Sequence, residues 1–361
     1  MIRILHVVTD MGRGGIETML MNYYRYIDRD VIQFDFLTHR DYRSDYDDEI
    51  ESLGGVIYHL PKLNPFSSLY KNALRRFFME HTEYRIVHVH QDCLSSVILK
   101  VAKQCNIPVR IAHSHNSNQT KDVKYPIKLY YKQFISKYAT HLMACSEEAG
   151  KWMFGKNAKF TVLNNAIDAA AYSFNMEKRE AVRKSFAISK NTLVLGHIGR
   201  FSYRKNHTFL IDIFRQVTNQ SNAKLLLVGE GNLKDEIEEK VKRFGLQSRV
   251  IFAGVRSDVA DILQGMDVFV FPSNYEGLPV TIIEAQAAGL PCFISDKVPI
   301  ECKKTDLVQQ IPLSASPEQW AKAIIGCKKD RNNRYEEIKD SGFDIVENAK
   351  WLEEYYLEKI R

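Results

Sequence analysis

Glu276 and Glu284 are separated by seven residues, and Gly277-Leu278-Pro279 directly follows the first of them. Upstream lies the apolar run Val268-Phe269-Val270-Phe271, which reads as a buried strand. A strand, a tight turn and a helix in this order present the free backbone N–H groups and the positive dipole end of the helix to an anion. Gly277 permits close backbone approach, and Pro279 suits a first helical turn. If the helix begins near Val280, Glu284 lies about 6 Å along its axis, at ~1.5 Å per residue. Carboxylates accept hydrogen bonds from vicinal hydroxyls. One acid before an anion-binding turn and one after it would suit a diphosphate with a sugar on one side and a ribose on the other.

A diphosphate also needs cations. Gly199-Arg200-Phe201-Ser202-Tyr203-Arg204-Lys205-Asn206-His207 supplies them after another strand candidate. Arg200 can grip phosphate oxygens as a fork and Lys205 acts as a point charge; Arg204 and His207 are expected to be solvated. Gly229 and Gly231, in Val228-Gly229-Glu230-Gly231, let backbone come near a ligand.

The first half offers a glycine turn and two pairs of histidines. In Asp10-Met11-Gly12-Arg13-Gly14-Gly15-Ile16-Glu17, Glu17 occupies the place of a third glycine. The dinucleotide fingerprint is therefore absent, which disfavours a nicotinamide dehydrogenase. His88 is read as structural and turned away from His90. His113 and His115 share a side of their strand, with His115 nearer its end and followed by Asn116. The pair Asp45 and Asp47 leads into a helix start, where capping and the helix dipole explain acids better than a metal does.

These groups need elements to hold them. Strand candidates run Arg3–Val8, Gln33–Thr38, Val56–Leu60, Ile86–His90, Val109–His115, His141–Cys145 and Phe160–Leu163, then Leu193–Ile198, Ala223–Val228, Val250–Ala253, Val268–Phe271, Pro291–Ser295 and Leu307–Ile311. Helix-length segments such as Ile16–Tyr26, Ser95–Gln104 and Thr208–Thr218 alternate with them. This predicts an α/β protein of two doubly wound, Rossmann-like domains, with ligands beyond the carboxyl ends of the strands and a site in the cleft between the domains. The expected division is 1–170 for the first domain and 171–344 for the second. The join falls in the polar stretch Asn165–Leu193, and a last helix, Ile345–Ile360, is expected to return to the first domain.

The E-x7-E element at Glu276 and Glu284, the Gly-Arg-x5-Lys-Asn pattern spanning Gly199, Arg200, Lys205 and Asn206, and Val228-Gly-x-Gly231 resemble the retaining GT-B glycosyltransferases of family 4. The resemblance covers both halves and is sharpest in the second. It implies that Glu276 contacts the donor sugar, Glu284 the nucleotide ribose, and Arg200 and Lys205 the diphosphate. It also implies that Gly229, Gly277, Leu278 and Pro279 line the donor, that Val255 and Arg256 lie near the nucleobase, and that the Gly14-Gly15 turn approaches the phosphates. His115, with His113 second, would sit near the reacting sugar, and His90 and Asn116 on the acceptor side. The implied donor is a nucleotide diphosphate hexose, UDP before GDP. The implied acceptor is a saccharide or lipid-linked saccharide in bacterial exopolysaccharide or capsule assembly. Neither a cofactor nor a metal is expected. Rival readings are a sugar-phosphate synthase with a soluble acceptor and a non-catalytic nucleotide-sugar-binding protein.

Bulk properties agree with a globular enzyme. The chain has 361 residues, 45% hydrophobic and 26% charged, which suits two domains of roughly 150–200 residues. A net charge of +6 is mild for this length, and no nucleic-acid partner is expected. The six cysteines stand singly and suggest neither zinc nor disulfides. No signal-peptide or membrane-spanning pattern is visible, so a cytoplasmic protein is expected. The segment 121–137 mixes five lysines with aromatic and aliphatic residues and one acid. It reads equally as an amphipathic helix with a solvated lysine face and as a contact for the anionic inner face of a membrane.

Overall fold

The computed structural model describes residues 1–116, 123–328 and 330–360. Lys121 and Asp122 of the basic stretch lie outside the described residues. The chain divides into two compact units, one of Met1–Ile167 with Gly342–Arg361 and one of Asp168–Ser341.

The first unit carries β1 (Ile2–Val7), β2 (Ile32–Thr38), β3 (Ile57–His59), β4 (Ile86–Val89), β5 (Val109–Ser114), β6 (His141–Ala144) and β7 (Thr161–Val162). They form a seven-stranded sheet ordered β3-β2-β1-β4-β5-β6-β7. The second carries β8 (Leu193–Ile198), β9 (Ala223–Val228), β10 (Val250–Phe252), β11 (Val268–Phe271), β12 (Cys292–Ser295) and β13 (Val308–Ile311) in the order β10-β9-β8-β11-β12-β13. Every strand pairing is parallel. Parallel strands buried on both faces require continuous apolar runs, and β11, Val-Phe-Val-Phe, is buried at every position. Both sheets are Rossmann-like, as expected. Strand order reverses between β1 and β4 in one sheet and between β8 and β11 in the other. Ligands collect at such switch points because the loops leaving neighbouring strands diverge there.

The helix Ile345–Ile360 belongs to the first unit. Ile345, Ala349, Leu352 and Tyr356 enter the core formed by Ile4, Phe34, Phe36 and the helix Gly15–Tyr26. A bridge between Ile167 and Asp344 ties the start of this return to the end of the unit's first segment. No helix among the described residues is long and apolar enough to cross a membrane.

Candidate functional site

In the second unit, the loops after β8 and β11 leave the switch point together. Side-chain amides clamp them to each other. Asn206 Nδ2 donates to the Pro272 carbonyl (3.1 Å), Asn274 Nδ2 to the Tyr203 carbonyl (2.6 Å), and the Asn274 N–H to the Arg204 carbonyl (2.8 Å). Asn206 sits at φ 53°, a left-handed conformation that Asn tolerates better than most residues. This clamp brings Lys205 to Glu276, with Nζ 2.9 Å from Oε1. The side chains of Lys205 and Glu276 are 9% and 4% exposed. The contact is a charge pair whose angles fall outside hydrogen-bond geometry. Lys205 Nζ also lies 4.2 Å from the centre of the Phe271 ring. Burial pulls the ammonium pKa down while Glu276 pushes it up.

Arg200, in the same loop, is exposed and has no ion-pair partner among the described residues. Arg204 reaches the other Glu276 oxygen at 3.8 Å. The expectation of a solvated His207 is wrong. Its ring is 2% exposed and stacks on Phe201 with centroids 4.2 Å apart, because its place at the start of the helix His207–Thr218 turns it under the loop. Gly229 is required on two counts: φ is +133°, and an added Cβ would lie 2.3 Å from the Gly199 carbonyl oxygen. An added Cβ at Gly231 would meet the Phe201 carbonyl oxygen at the same 2.3 Å. These two glycines thus pack against the backbone of the loop that carries Arg200.

The helix after the turn runs Val280–Ala287, with Pro279 at its N-cap position and Leu278 packed on the core. Beside Gly277 an added Cβ would meet nothing within 4 Å, so that turn opens onto free space. Glu284 is 8% exposed, and burial raises its carboxyl pKa to about 7. Its partner is the Tyr172 hydroxyl, which donates to Oε1 at 2.9 Å. Tyr172 lies in the short helix Ala169–Tyr172 and was not singled out in the sequence. Val255 is 58% exposed, and Arg256 is held by Asp258 through two hydrogen bonds of 2.8 and 2.7 Å.

In the first unit, Gly14 caps the helix Gly15–Tyr26. An added Cβ there would lie 2.2 Å from Glu17 Oε2, whereas at Gly15 it would meet nothing within 4 Å. Glu17 thus folds back over the helix start, and burial, with Asp10 nearby, raises its pKa to about 7. Asp45 accepts from the Arg13 N–H and Asp47 from the Ser44 N–H, so both acids of that pair brace loops.

Five histidines line one face of β1, β4 and β5 and the residues just beyond. His115 Nε2 meets His90 Nδ1 at 2.8 Å, and His90 Nε2 meets His6 Nδ1 at 3.1 Å. In a second chain, the Tyr356 hydroxyl meets His88 Nδ1 at 2.7 Å, and His88 Nε2 meets His113 Nδ1 at 3.1 Å. His88 is therefore not turned away from His90. A strand repeats its direction every two residues, and the rings stack with centroids 4.4 Å apart. Burial lowers the pKa of all five; His6 and His115 fall to about 3. The rings are therefore neutral. His6, His88 and His90, and likewise His90, His113 and His115, have nitrogens within 4.8 Å of one another and could together offer three ligands to a borderline cation. Asn116 Nδ2 donates to both carboxylate oxygens of Asp92 (3.1 and 3.0 Å). Asp92, at φ 45°, is a further residue that the sequence reading passed over.

Comparisons with known proteins give the family of the chain. Residues 13–171 match the family model "Glycosyltransferase Family 4" and residues 178–343 match "Glycosyl transferases group 1". The chain is 35% identical to EpsF, named as a glycosyltransferase of Bacillus subtilis, over 98% of this chain and 96% of that one. It is 25% identical to the capsular polysaccharide biosynthesis glycosyltransferase CapH of Staphylococcus aureus, over 99% of each. Among solved structures, HepE of Anabaena in complex with UDP and glucose superposes with a TM-score of 0.79 at 18% identity, covering 99% of this chain and 100% of that one. The chain belongs to the family 4, group 1 glycosyltransferases and is a GT-B enzyme of that family.

Proposed function

We propose that this glycosyltransferase moves a hexose from a UDP-sugar, with retention, to a saccharide or lipid-linked saccharide during bacterial exopolysaccharide or capsule assembly at the inner face of the cell membrane. The observation that carries the donor half is the buried Lys205–Glu276 pair in the same switch-point loops as the unpaired Arg200. In this reading Arg200, Lys205 and the free N–H groups at Gly277-Leu278 stabilise the charge that develops on the departing diphosphate. Gly229 and Pro279 shape the surrounding loops, Glu276 orients the sugar and Glu284 holds the ribose. Val255 and Arg256 flank the base. The Gly14-Gly15 turn adds backbone toward the phosphates, and His90 and Asn116 serve the acceptor side. His115, backed by His113, faces the reacting sugar as a neutral ring, so it can hydrogen-bond a hydroxyl without repelling positive charge on the anomeric carbon. No metal is required, and activity is expected to persist in EDTA. HepE supports the choice of UDP, and CapH supports the choice of pathway.

The test is a panel of nucleotide sugars read by hydrolysis and thermal shift. UDP and one UDP-hexose are expected to raise the melting temperature. Glu284→Ala is expected to weaken UDP at least tenfold, because a ribose hydroxyl is left without its partner in a buried site, whereas Glu276→Gln should reduce sugar transfer and leave UDP affinity within about threefold. Equal losses of UDP affinity in the two variants would sink this division of roles.

A further inference from the structure

Away from the loops assigned to the donor, the first unit holds a pocket of about 390 Å³ among the helices Ser68–Glu80, Ser95–Gln104, Tyr125–Lys132 and Ile135–Tyr138. Lys71, Arg75 and Lys100 line it, and no acidic residue does. None of these three cations has an ion-pair partner among the described residues; the Arg75 guanidinium donates only to the neutral side chains of Asn72 (2.9 Å) and Gln104 (3.3 Å). Ser96 also lines the pocket, is 1% exposed, and has a hydroxyl with no hydrogen-bond partner. A buried polar group without a partner costs free energy, and an acceptor in the pocket would satisfy it. Three cations and an idle hydroxyl suit a phosphate oxygen cluster.

The rim says where that phosphate comes from. Tyr130 lines the pocket and is 57% exposed; nearby Phe66, whose ring meets that of Tyr131 at 6.2 Å, is 68% exposed. The helix Tyr125–Lys132 carries Ile127, Leu129, Tyr130 and Tyr131, yet buries no residue. Large apolar groups around a basic pocket match the boundary between lipid headgroups and acyl chains, and a soluble phosphate has no use for them. We propose that this pocket binds the phosphate headgroup of an acidic membrane lipid, with Lys71, Arg75, Lys100 and Ser96 on the phosphate and Phe66 and Tyr130 inserted beside it. This adds a built headgroup site to the membrane location proposed above, and it is measured without donor or acceptor, so either idea can fail alone.

The full chain is sedimented with phosphatidylcholine vesicles, with and without phosphatidylglycerol. Binding is expected only with phosphatidylglycerol. The triple variant Lys71→Gln/Arg75→Gln/Lys100→Gln is expected to lose roughly a hundredfold in partitioning, each basic residue near an anionic surface contributing about fivefold. A control of equal charge, Lys242→Gln/Lys322→Gln/Lys350→Gln, removes exposed lysines elsewhere and is expected to bind as the parent does. Phe66→Ser/Tyr130→Ser should weaken vesicle binding, and an unchanged circular dichroism spectrum and melting temperature in each variant show that it is folded. Equal loss in the control, or no dependence on phosphatidylglycerol, overturns the proposal. Protection of the Ser95–Gln104 amides from exchange by free glycerol phosphate, without vesicle binding, would assign the pocket to a soluble phosphate and overturn it too.

Discussion

Lys205 and Glu276 form a charge pair that the fold shields from solvent. Each side chain is more than nine-tenths buried, so each charge depends on the other. Removing one partner of a buried pair costs about 3–5 kcal/mol, because the other charge is left without compensation. Lys205→Ala is therefore expected to lower the unfolding free energy by about that much in urea titration. The double variant with Glu276→Ala should lose clearly less than the sum of the two single losses; strict additivity would show that the pair is not coupled. Glu284 makes a different prediction. Its carboxyl pKa is about 7 in the folded chain, above the unfolded value of 4.5, so the folded state holds the proton more tightly. That contribution to stability is full below about 4.5 and is lost as pH rises through about 7. The melting temperature of the parent should fall relative to Glu284→Gln between mildly acid and mildly alkaline pH, and a constant difference would count against a buried, protonated Glu284. The sequence supplied both acids and their spacing. It could not supply the Tyr172 hydroxyl on Glu284, since that contact joins residues 112 positions apart.

Loops and strands carry the next level of control. The loop bearing Arg200 keeps its path because Gly229 approaches the Gly199 carbonyl as no residue with a Cβ could. Gly229→Ala is expected to displace that loop and weaken UDP binding at least tenfold with the fold retained, as isothermal titration and circular dichroism would show together. The pattern Val-Gly-x-Gly made these glycines visible in the sequence, though not the backbone they press against. The two-residue repeat that puts His113 and His115 on one side of β5 was legible, whereas the same repeat on β4, which puts His88 beside His90, was misread as turning them apart. The extension through His6 on β1 was not legible, because it depends on which strands are neighbours. His6 and His115 have folded pKa values near 3, below the unfolded 6.5, so the stability they lend is present above about 6.5 and lost as pH falls toward 3. His6→Phe, which keeps an aromatic ring against Phe34, is expected to move the acid-unfolding midpoint of the protein to lower pH. A midpoint that stays or rises would contradict a buried neutral His6.

The whole molecule consists of two Rossmann-like units, and the first is completed by the chain's last helix. Tyr356 there is fully buried and its hydroxyl reaches His88. Tyr356→Phe removes one buried hydrogen bond, so a loss of about 1 kcal/mol is expected, against about 3–5 kcal/mol for Tyr356→Ala, which also opens a cavity. Chemical denaturation of the two variants measures both. By itself the sequence determined the class of fold, the run of strands and helices, and the acids, cations and glycines singled out in the second unit. Those features are written in local periodicity and in motifs confined to a few neighbouring residues. Only the tertiary structure decided that Lys205 pairs with Glu276, that Tyr172 caps Glu284, that five histidines gather on one face, and that three cations share a pocket with a buried serine. Each of these rests on contacts between distant segments, and burial, which sets their charge and hydrogen bonding, exists only once those segments have packed.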